Sequence, residues 1–296
     1  MRPSARLVAA AALALPLLLS GCSYLLPSKR RLPVPKAPAI VQTVSPEQLV
    51  ALLDKRWNDL NALTATVEIY ATEYKTMQGE AKTYPSCKGF VVIGKPERLR
   101  VLGTYFDVKI FDLASNGTDF TLEIPSKNLA IKGSNTAQGT SKNTWENLRP
   151  SFFFNAMVVR GLQPDEHYFV TSDTVTMEDP AKKHLYLVPE YILNINRVKP
   201  GSRNEIPVRI IKFHRNDLLP YEQDIYNSKG ELQTKVTYAG YRDYNTVLYP
   251  SSITIRSPLD GFKLVLDVLS VHENMQLRGD QFKLQLPSGI KIQHIE

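Results

Sequence analysis

Apolar and polar residues alternate along much of the chain, which predicts a protein built mainly of β-strands. Between Leu63 and Ala71, small or aliphatic side chains occupy every second position, as in a half-buried strand. Turn sequences such as Ser228-Lys229-Gly230 separate many of the later runs, and such short connections favour antiparallel neighbours. The further predicted strands are Lys88–Ile93, Arg98–Leu102, Val108–Leu113, Asp119–Ile124, Tyr168–Met177, His184–Val188, Tyr191–Val198, Pro207–His214, Leu219–Tyr226, Leu232–Tyr241, Val247–Arg256, Lys263–His272 and Gln281–Leu286.

Two segments instead show helical spacing. Ser45, Pro46 and Gln48 combine a capping residue, a proline suited to the first turn and the partner of a capping box. The apolar stripe of about 15 residues that follows predicts an amphipathic helix. A second helix is predicted near Asn143–Arg160, where Trp145, Leu148, Phe152, Phe153 and Met157 cluster.

These elements predict a mainly β (α+β) fold: one long antiparallel sheet with two or three helices. A sheet of more than about 10 strands tends to curl or to close on itself. A curled sheet needs material on its concave face, and either helices or a ligand would supply it.

The first 22 residues form a pattern of their own. Arg2 and Arg6 precede an apolar run, Leu7–Leu19, that is short for a membrane-spanning helix. The run ends in Leu19-Ser20-Gly21-Cys22, which resembles the lipobox of bacterial lipoproteins, a family in which the cysteine is lipidated after cleavage just before it. An ordinary secretory signal followed by a chance cysteine, or a short anchor, remains the alternative.

This resemblance implies a lipid-anchored protein of the cell envelope. Ser23 follows the cysteine, and in enterobacterial lipoproteins a serine there favours the outer membrane. The predicted organisation is a signal peptide over residues 1–21, a lipidated Cys22 with a proline-rich basic linker over residues 22–44, and one domain over residues 45–296. Two or three acyl chains on one residue hold a protein stably on a bilayer.

Composition and charge narrow the function classes. The hydrophobic content of 43% is ordinary for a globular protein. The formal charge of +7 includes basic residues of the linker, which would either meet anionic headgroups or simply be solvated. We expect no nucleic-acid partner, because the compartment is wrong and no basic-aromatic motif occurs. With Cys22 lipidated, Cys87 would be a lone buried thiol.

We also expect no enzymatic activity, no cofactor and no metal. The five histidines are scattered, and zinc-protease, serine-hydrolase and phosphate-loop motifs are missing from the sequence. Asp165-Glu166-His167 could ligate a metal, although a polar loop explains this tripeptide better.

Four patches together resemble the periplasmic lipoprotein-carrier superfamily (LolA-, LolB- and RseB-like proteins). This superfamily includes the soluble chaperone and the outer-membrane receptor that sort lipoproteins, and a sigma-factor regulator. Two of the patches depart from the family pattern: Lys95 stands where the soluble carrier has an arginine latch, and Glu123 stands where an aromatic is usual. The patches are Leu49–Tyr70, Gly89–Arg100, Ser115–Pro125 and Phe282–Ile290.

The resemblance implies an incomplete β-barrel with two or three helices over its concave face, enclosing an apolar cavity for acyl chains. An exposed leucine of the receptor matches Leu102 loosely, which makes Leu102 a candidate membrane contact. The candidate lining residues are Val67, Ile69, Phe90, Val92, Leu99, Val101, Ile110, Phe120 and Leu122, with Phe152, Phe153 and Met157 on the lid.

Two functions remain open at this point. The chain would bind lipid or an acylated lipoprotein, as a monomer at the periplasmic face of the outer membrane, in lipoprotein transport or reception. Alternatively, it would be an envelope scaffold or stress sensor that uses the same fold for protein contacts without lipid transfer. A dry pocket of at least several hundred cubic ångströms would favour the first.

Overall fold

The computed structural model describes residues 40–75, 79–137, 144–179, 184–245 and 247–295. The signal peptide, Cys22 and most of the predicted linker lie outside these residues. The described residues up to Val175 and from Val188 onward belong to one compact unit. The second unit includes the ends of two paired strands, residues 176–179 and 184–187.

Helix α1 (Pro46–Asp59) begins as the sequence predicts. The Ser45 hydroxyl accepts a hydrogen bond from the backbone N–H of Gln48, and the Gln48 side chain accepts one from the backbone N–H of Ser45. This capping box satisfies two donors that the first turn would otherwise leave unpaired. The apolar face of α1, Leu49, Val50 and Leu53, is buried against the strands near the end of the sheet.

The described residues contain fifteen strands in one sheet. Along the sheet the order is β15-β7-β6-β5-β4-β3-β1-β14-β13-β12-β11-β10-β9-β8, with β2 paired to β1. Their bounds are β1 Ala62–Lys75, β2 Glu80–Thr83, β3 Cys87–Gly94, β4 Arg98–Tyr105, β5 Val108–Ser115, β6 Asp119–Ile124, β7 Leu129–Ser134, β8 His167–Asp179, β9 His184–Val198, β10 Glu205–His214, β11 Pro220–Tyr226, β12 Leu232–Tyr244, β13 Val247–Ser257, β14 Phe262–Glu273 and β15 Lys291–Ile295.

Helix α2 (Pro150–Met157) shows that the sheet curves. The Arg149 guanidinium lies 5.4 Å from the Phe120 ring on β6, while Gln223 on β11 donates to the Asn155 carbonyl at 3.0 Å. Eight strand spacings separate β6 from β11, or about 38 Å in a flat sheet. A segment of seven residues reaches both only if the sheet bends around it. Within the described residues β15 and β8 do not pair with each other, so the fold is an incomplete barrel with helices.

The predicted helix near Asn143–Arg160 is wrong in extent. Within the described residues the segment forms a 3₁₀ turn (Thr144–Asn147) and then the separate eight-residue α2. Pro150 explains the break, because proline lacks an N–H group and is tolerated only in the first turn of a helix.

The prediction of a strand at Gln281–Leu286 is also wrong. Gly279–Phe282 forms a 3₁₀ turn that packs on β4, where Arg100 donates to the Gln281 carbonyl at 3.3 Å. The chain then reaches β7, along which β15 runs parallel. The sheet is therefore mixed rather than wholly antiparallel.

Candidate functional site

A cavity of about 460 Å³ lies between β1, β5, β6 and the segment before α2. We call it the first cavity, and its volume falls within the range of roughly 300–1,000 Å³ that is typical of ligand pockets. Aliphatic and aromatic side chains form most of its wall. The lining residues are Ile69, Ala71, Lys82, Tyr84, Pro85, Cys87, Ile110, Phe111, Leu122, Ile124, Ser126, Lys127, Trp145, Leu148, Phe153 and Leu264.

Ring contacts hold one side of this wall. Trp145 meets Tyr84 edge-on with ring centroids 5.0 Å apart, and its ring lies 6.3 Å from that of Phe262. The Tyr84 hydroxyl donates to a Glu73 carboxylate oxygen at 2.8 Å. The 3₁₀ turn carrying Trp145 is thus held in place by aromatic contacts, of which the Trp145–Tyr84 pair has the favoured edge-on geometry.

Charged groups occur at the rim of the first cavity. The Lys82 ammonium lies 4.7 Å from the Tyr84 ring centre, and Lys127 pairs with Glu146 at 2.9 Å. Deeper in the wall, burial raises the pKa of the Cys87 thiol to about 11, with a smaller contribution from the Glu68 charge. The thiol is therefore neutral at neutral pH, so the cavity combines an uncharged wall with cations at its edge.

Four of the predicted lining residues do line the first cavity: Ile69, Ile110, Leu122 and Phe153. Met157 lines a different cavity, described below. Five further predicted lining residues face inward but are buried in the main core and line neither cavity. They are Val67, Leu99, Val101, Phe120 and Phe152.

Phe90 and Val92 lie on the other face of β3 from the one we predicted. The buried side chains of this strand are Cys87, Val91 and Ile93, whereas Phe90 is 39% exposed. The inward position between Cys87 and Val91 is Gly89, where a Cβ would lie 2.6 Å from the Ile69 side chain. Because strand side chains alternate between faces, a one-residue error in register reverses all of them.

A β-bulge turns Ile110 toward the first cavity. On β4, Gly103 pairs with Phe111 and Thr104 pairs with Lys109, which leaves Ile110 without an opposite residue. Two consecutive residues, Ile110 and Phe111, therefore both line the cavity. Ile110 is 38% exposed, so it stands at the mouth.

Leu102 lies within a strand and not in a loop. It pairs with Phe90 and Asp112 in the middle of the sheet and is half-buried. The exposed apolar residue nearby is Phe106, at the tip of the β4–β5 hairpin, with 85% of its surface accessible. Phe106 and Asp107 have φ angles of 45° and 62°, a conformation that costs a bulky aromatic residue free energy.

Lys95 joins the sheet to both helices. Its ammonium donates to the Trp57 carbonyl and lies 4.3 Å from the Trp57 ring centre. Trp57 in turn meets Phe154 of α2 edge-on at 6.5 Å. Burial lowers the pKa of Lys95, against a smaller opposing effect of Asp59. Lys95 therefore links the β3–β4 turn to α1, and through Trp57 to α2.

A second cavity of about 320 Å³ lies between α1, the residues that end α2, and β12–β13. Among the described residues, it shares none of its lining with the first cavity. Leu53, Arg56 and Tyr249 contribute to its wall, together with Met157.

Sequence reasoning missed part of the first cavity. Lys82, Tyr84 and Lys127 come from short or irregular segments without a periodic pattern. Trp145 and Leu148 stood out only as members of an apolar cluster. The aromatic content near Tyr84-Pro85 was the one available signal, and it does not indicate which distant strand the ring will meet.

The described residues contain no helix suited to crossing a membrane and no group of side chains placed to hold a metal ion. Within Asp165-Glu166-His167, the Glu166 carboxylate is fully buried and pairs with Arg209 at 3.1 Å. The tripeptide thus takes part in an internal ion pair.

Comparison with solved structures identifies the fold. A LolA superfamily protein from Nitrosomonas europaea superposes with a TM-score of 0.51 and 14% identity, over 82% of this chain and 99% of that one. The chain has the LolA-like fold.

Other structures similar to this LolA-like fold align less well. A DUF1329 family protein from Desulfovibrio piger gives a TM-score of 0.48 at 15% identity, covering 80% of this chain and 95% of that one. A structure described as an outer membrane lipoprotein-sorting protein domain from Vibrio parahaemolyticus gives 0.45 at 12% identity, covering 80% and 94%. No protein-family model and no curated protein sequence matches the chain.

Proposed function

We propose that this protein binds the acyl chains of lipids or lipid-modified proteins in the first cavity, and that it acts in lipoprotein transport or reception. The observation that supports this is the cavity of about 460 Å³ with its uncharged wall inside a LolA-like fold. An acyl chain requires dry apolar surface and no reacting group. Lys82 at the rim suits a polar or anionic head, because an ammonium attracts both, whereas Lys127 is already paired with Glu146.

The same proposal places the protein at the periplasmic face of the outer membrane as a monomer anchored by Cys22. Ile40 lies 18 positions after Cys22, a stretch that reaches about 65 Å at most. Strand β1, with 14 residues, is about 46 Å long. The tether is therefore long enough for either end of the strands to reach the membrane.

The residues that follow the linker are held on the domain. The backbone N–H of Gln42 donates to the Arg215 carbonyl at 2.6 Å, and the Arg215 guanidinium donates to the Gln42 carbonyl at 3.1 Å. The Val44 N–H donates to the Tyr191 hydroxyl at 3.1 Å. The tether would thus leave the domain beside the β10–β11 turn.

The β4–β5 hairpin is the membrane contact in this proposal, in place of Leu102. Phe106 is 85% exposed, Val108 67% and Tyr105 46%, so the tip presents a small apolar surface. Ile110 is exposed on the same hairpin and also lines the first cavity. A chain leaving the bilayer at the tip would therefore meet exposed apolar side chains of this hairpin, ending at Ile110 at the cavity mouth.

Native mass spectrometry tests the binding function. The full-length protein would be purified from the cell envelope in mild detergent and sprayed intact. The proposal predicts phospholipid or acylated peptide released on gentle activation. An apo mass, together with failure to take up a fluorescent fatty acid, would instead favour the scaffold or sensor that binds proteins without lipid transfer.

Metabolic labelling tests the anchor separately. Radioactive palmitate should be incorporated into the wild-type chain and lost in Cys22→Ala, while Cys87→Ala keeps the label. Equal labelling of wild type and Cys22→Ala would refute lipidation at Cys22 without bearing on the cavity.

A further inference from the structure

The second cavity has an apolar floor and walls of tyrosine. Leu53, Leu63 and Val158 are nearly completely buried at its base. The Tyr249 hydroxyl donates to the Met157 carbonyl at 2.6 Å, and the Tyr241 hydroxyl donates to the Pro220 carbonyl at 2.7 Å. Each hydroxyl already donates its hydrogen to a carbonyl, so toward the cavity it can only accept a hydrogen bond.

Arg56 is the cation of this cavity. Its guanidinium donates to the Leu218 carbonyl at 3.0 Å, and within the described residues it forms no salt bridge. Burial lowers the pKa of Arg56, against smaller opposing effects of Tyr241 and Asp217. A guanidinium has five N–H donors in a planar fork, so one with a single carbonyl partner still has donors for an anionic oxygen.

Two carboxylates line another part of the same cavity. Asp59 is largely exposed and pairs with Lys55 at 2.5 Å. Glu273 is an exposed residue, and partial burial of its carboxyl raises its pKa, as does the neighbouring charge of Asp59. A cation bound beside Glu273 would oppose this shift, because an opposite charge favours the ionised carboxylate.

We propose that the second cavity binds a single-chain amphiphile with a zwitterionic head, its anionic group on Arg56 and its cationic group on Glu273 and Asp59. The apolar floor receives the start of the chain. This site is separate from the first cavity, so the inference goes beyond acyl-chain binding there and does not depend on it.

Three amphiphiles of equal chain length separate the contributions of the two charges. Lysophosphatidylethanolamine carries both charges, lysophosphatidylglycerol only the anion, and an alkyltrimethylammonium only the cation. Binding would be measured calorimetrically on full-length Cys22→Ala protein, and the occupied site located by hydrogen–deuterium exchange. We expect lysophosphatidylethanolamine to bind most tightly and to protect residues 53–63 and 247–250.

Two conservative variants test the assignment of the head. Arg56→Gln should weaken both phospholipids about tenfold, the scale of a charged hydrogen bond, and leave the alkylammonium unchanged. Arg56→Lys should restore part of the loss, which a purely structural role would not predict. Glu273→Gln should weaken lysophosphatidylethanolamine and strengthen lysophosphatidylglycerol, because it removes repulsion of the anion.

Two outcomes would overturn the proposal. One is that the Arg56→Gln and Glu273→Gln proteins, with unchanged melting temperatures, both bind lysophosphatidylethanolamine as tightly as the wild type does. The other is protection confined to the first cavity, around residues 82–87 and 145–153. A different result would refute only the proposed function: the first cavity takes up no fatty acid, while lysophosphatidylethanolamine still protects the second cavity. The inference about the second cavity would then stand.

Discussion

The two helices cover the same sheet in different ways. Helix α1 packs closely on β9 and β10, and polar contacts fix the surrounding chain: Arg209 donates to the carbonyls of Arg160 and Gly161 at 2.6 and 3.0 Å. Helix α2 is shorter, is preceded by an irregular segment, and leaves a cavity of about 460 Å³ beside Phe153. The same fold thus contains a closely packed region, where α1 meets β9 and β10, and a more open one beside α2.

Buried charge marks the stable region. Arg209 and Glu166 are both almost wholly inaccessible and pair at 3.1 Å. Removing one partner of such a pair leaves the other charge uncompensated. By contrast, ionic contacts around the first cavity, such as Lys127–Glu146, are partly exposed and contribute little to stability.

The largest expected effect follows from this ion pair. Arg209→Met should lower the free energy of unfolding by up to about 3–5 kcal/mol, because it leaves the buried Glu166 carboxylate with only the longer contact to Arg197, at 3.5 Å, as an ionic partner. Lys55→Ala, at an exposed pair, should cost less than about 1 kcal/mol. Urea titration measures both. Equal losses in the two variants would show that the α1 region does not depend on its buried charges.

A matched pair of substitutions tests the ligand region. Ile110 and Phe90 are 38% and 39% exposed but lie on different faces of the sheet. Ile110→Asp should weaken fatty-acid binding at least about tenfold, because it places a carboxylate in an apolar cavity. Phe90→Asp should change it less than about twofold. Fluorescent fatty-acid displacement gives both constants, and a similar loss in both variants would contradict the assigned cavity.

Phe106 at the hairpin tip should lower the stability of the protein and strengthen its binding to membranes. Phe106→Asn places a residue that tolerates positive φ at the turn and should raise the free energy of unfolding by about 0.5–1 kcal/mol. The same change should weaken binding to anionic vesicles about tenfold, since an aromatic ring no longer enters the interface. Leu259→Asn, at another exposed turn position, serves as the control for vesicle flotation. Unchanged flotation of Phe106→Asn would exclude the tip as the contact.

The smallest effect concerns Cys87, whose pKa is raised to about 11 by burial. The folded protein holds a proton that the unfolded chain releases near pH 9, so this group's stabilising contribution should fall as pH rises from about 9 to about 11. Disulfide-exchange labelling of the folded protein should be slow at pH 8 and slower still with fatty acid bound. Labelling at the rate of a free thiol, with or without ligand, would contradict both statements.

Local patterns in the sequence predicted the regular elements well. The capping box at Ser45 and the alternation from Leu63 to Ala71 depend on neighbouring residues alone, and both are confirmed. The order of strands and turns together with the family resemblance also led to the incomplete barrel. These features follow from short-range rules that one sequence contains.

The walls of the first cavity were less predictable. The apolar run Phe90–Ile93 shows no alternation, and the inward position at Gly89 has no side chain. The sequence therefore does not indicate which residues of β3 face the core. Ile110 faces inward through a bulge whose partner lies on another strand. Tyr84 and Trp145 meet only because distant segments fold together. Each of these depends on long-range contacts rather than local pattern.

Photo-crosslinking with a diazirine fatty acid would show where an acyl chain lies in the protein. Full-length protein would be irradiated with the probe, digested, and the labelled peptides identified by mass spectrometry. If the first cavity binds acyl chains, adducts will form within residues 69–87, 110–127 and 145–153, and unlabelled fatty acid will compete them away. Competable adducts elsewhere, or none in these three segments, would contradict acyl-chain binding in the first cavity.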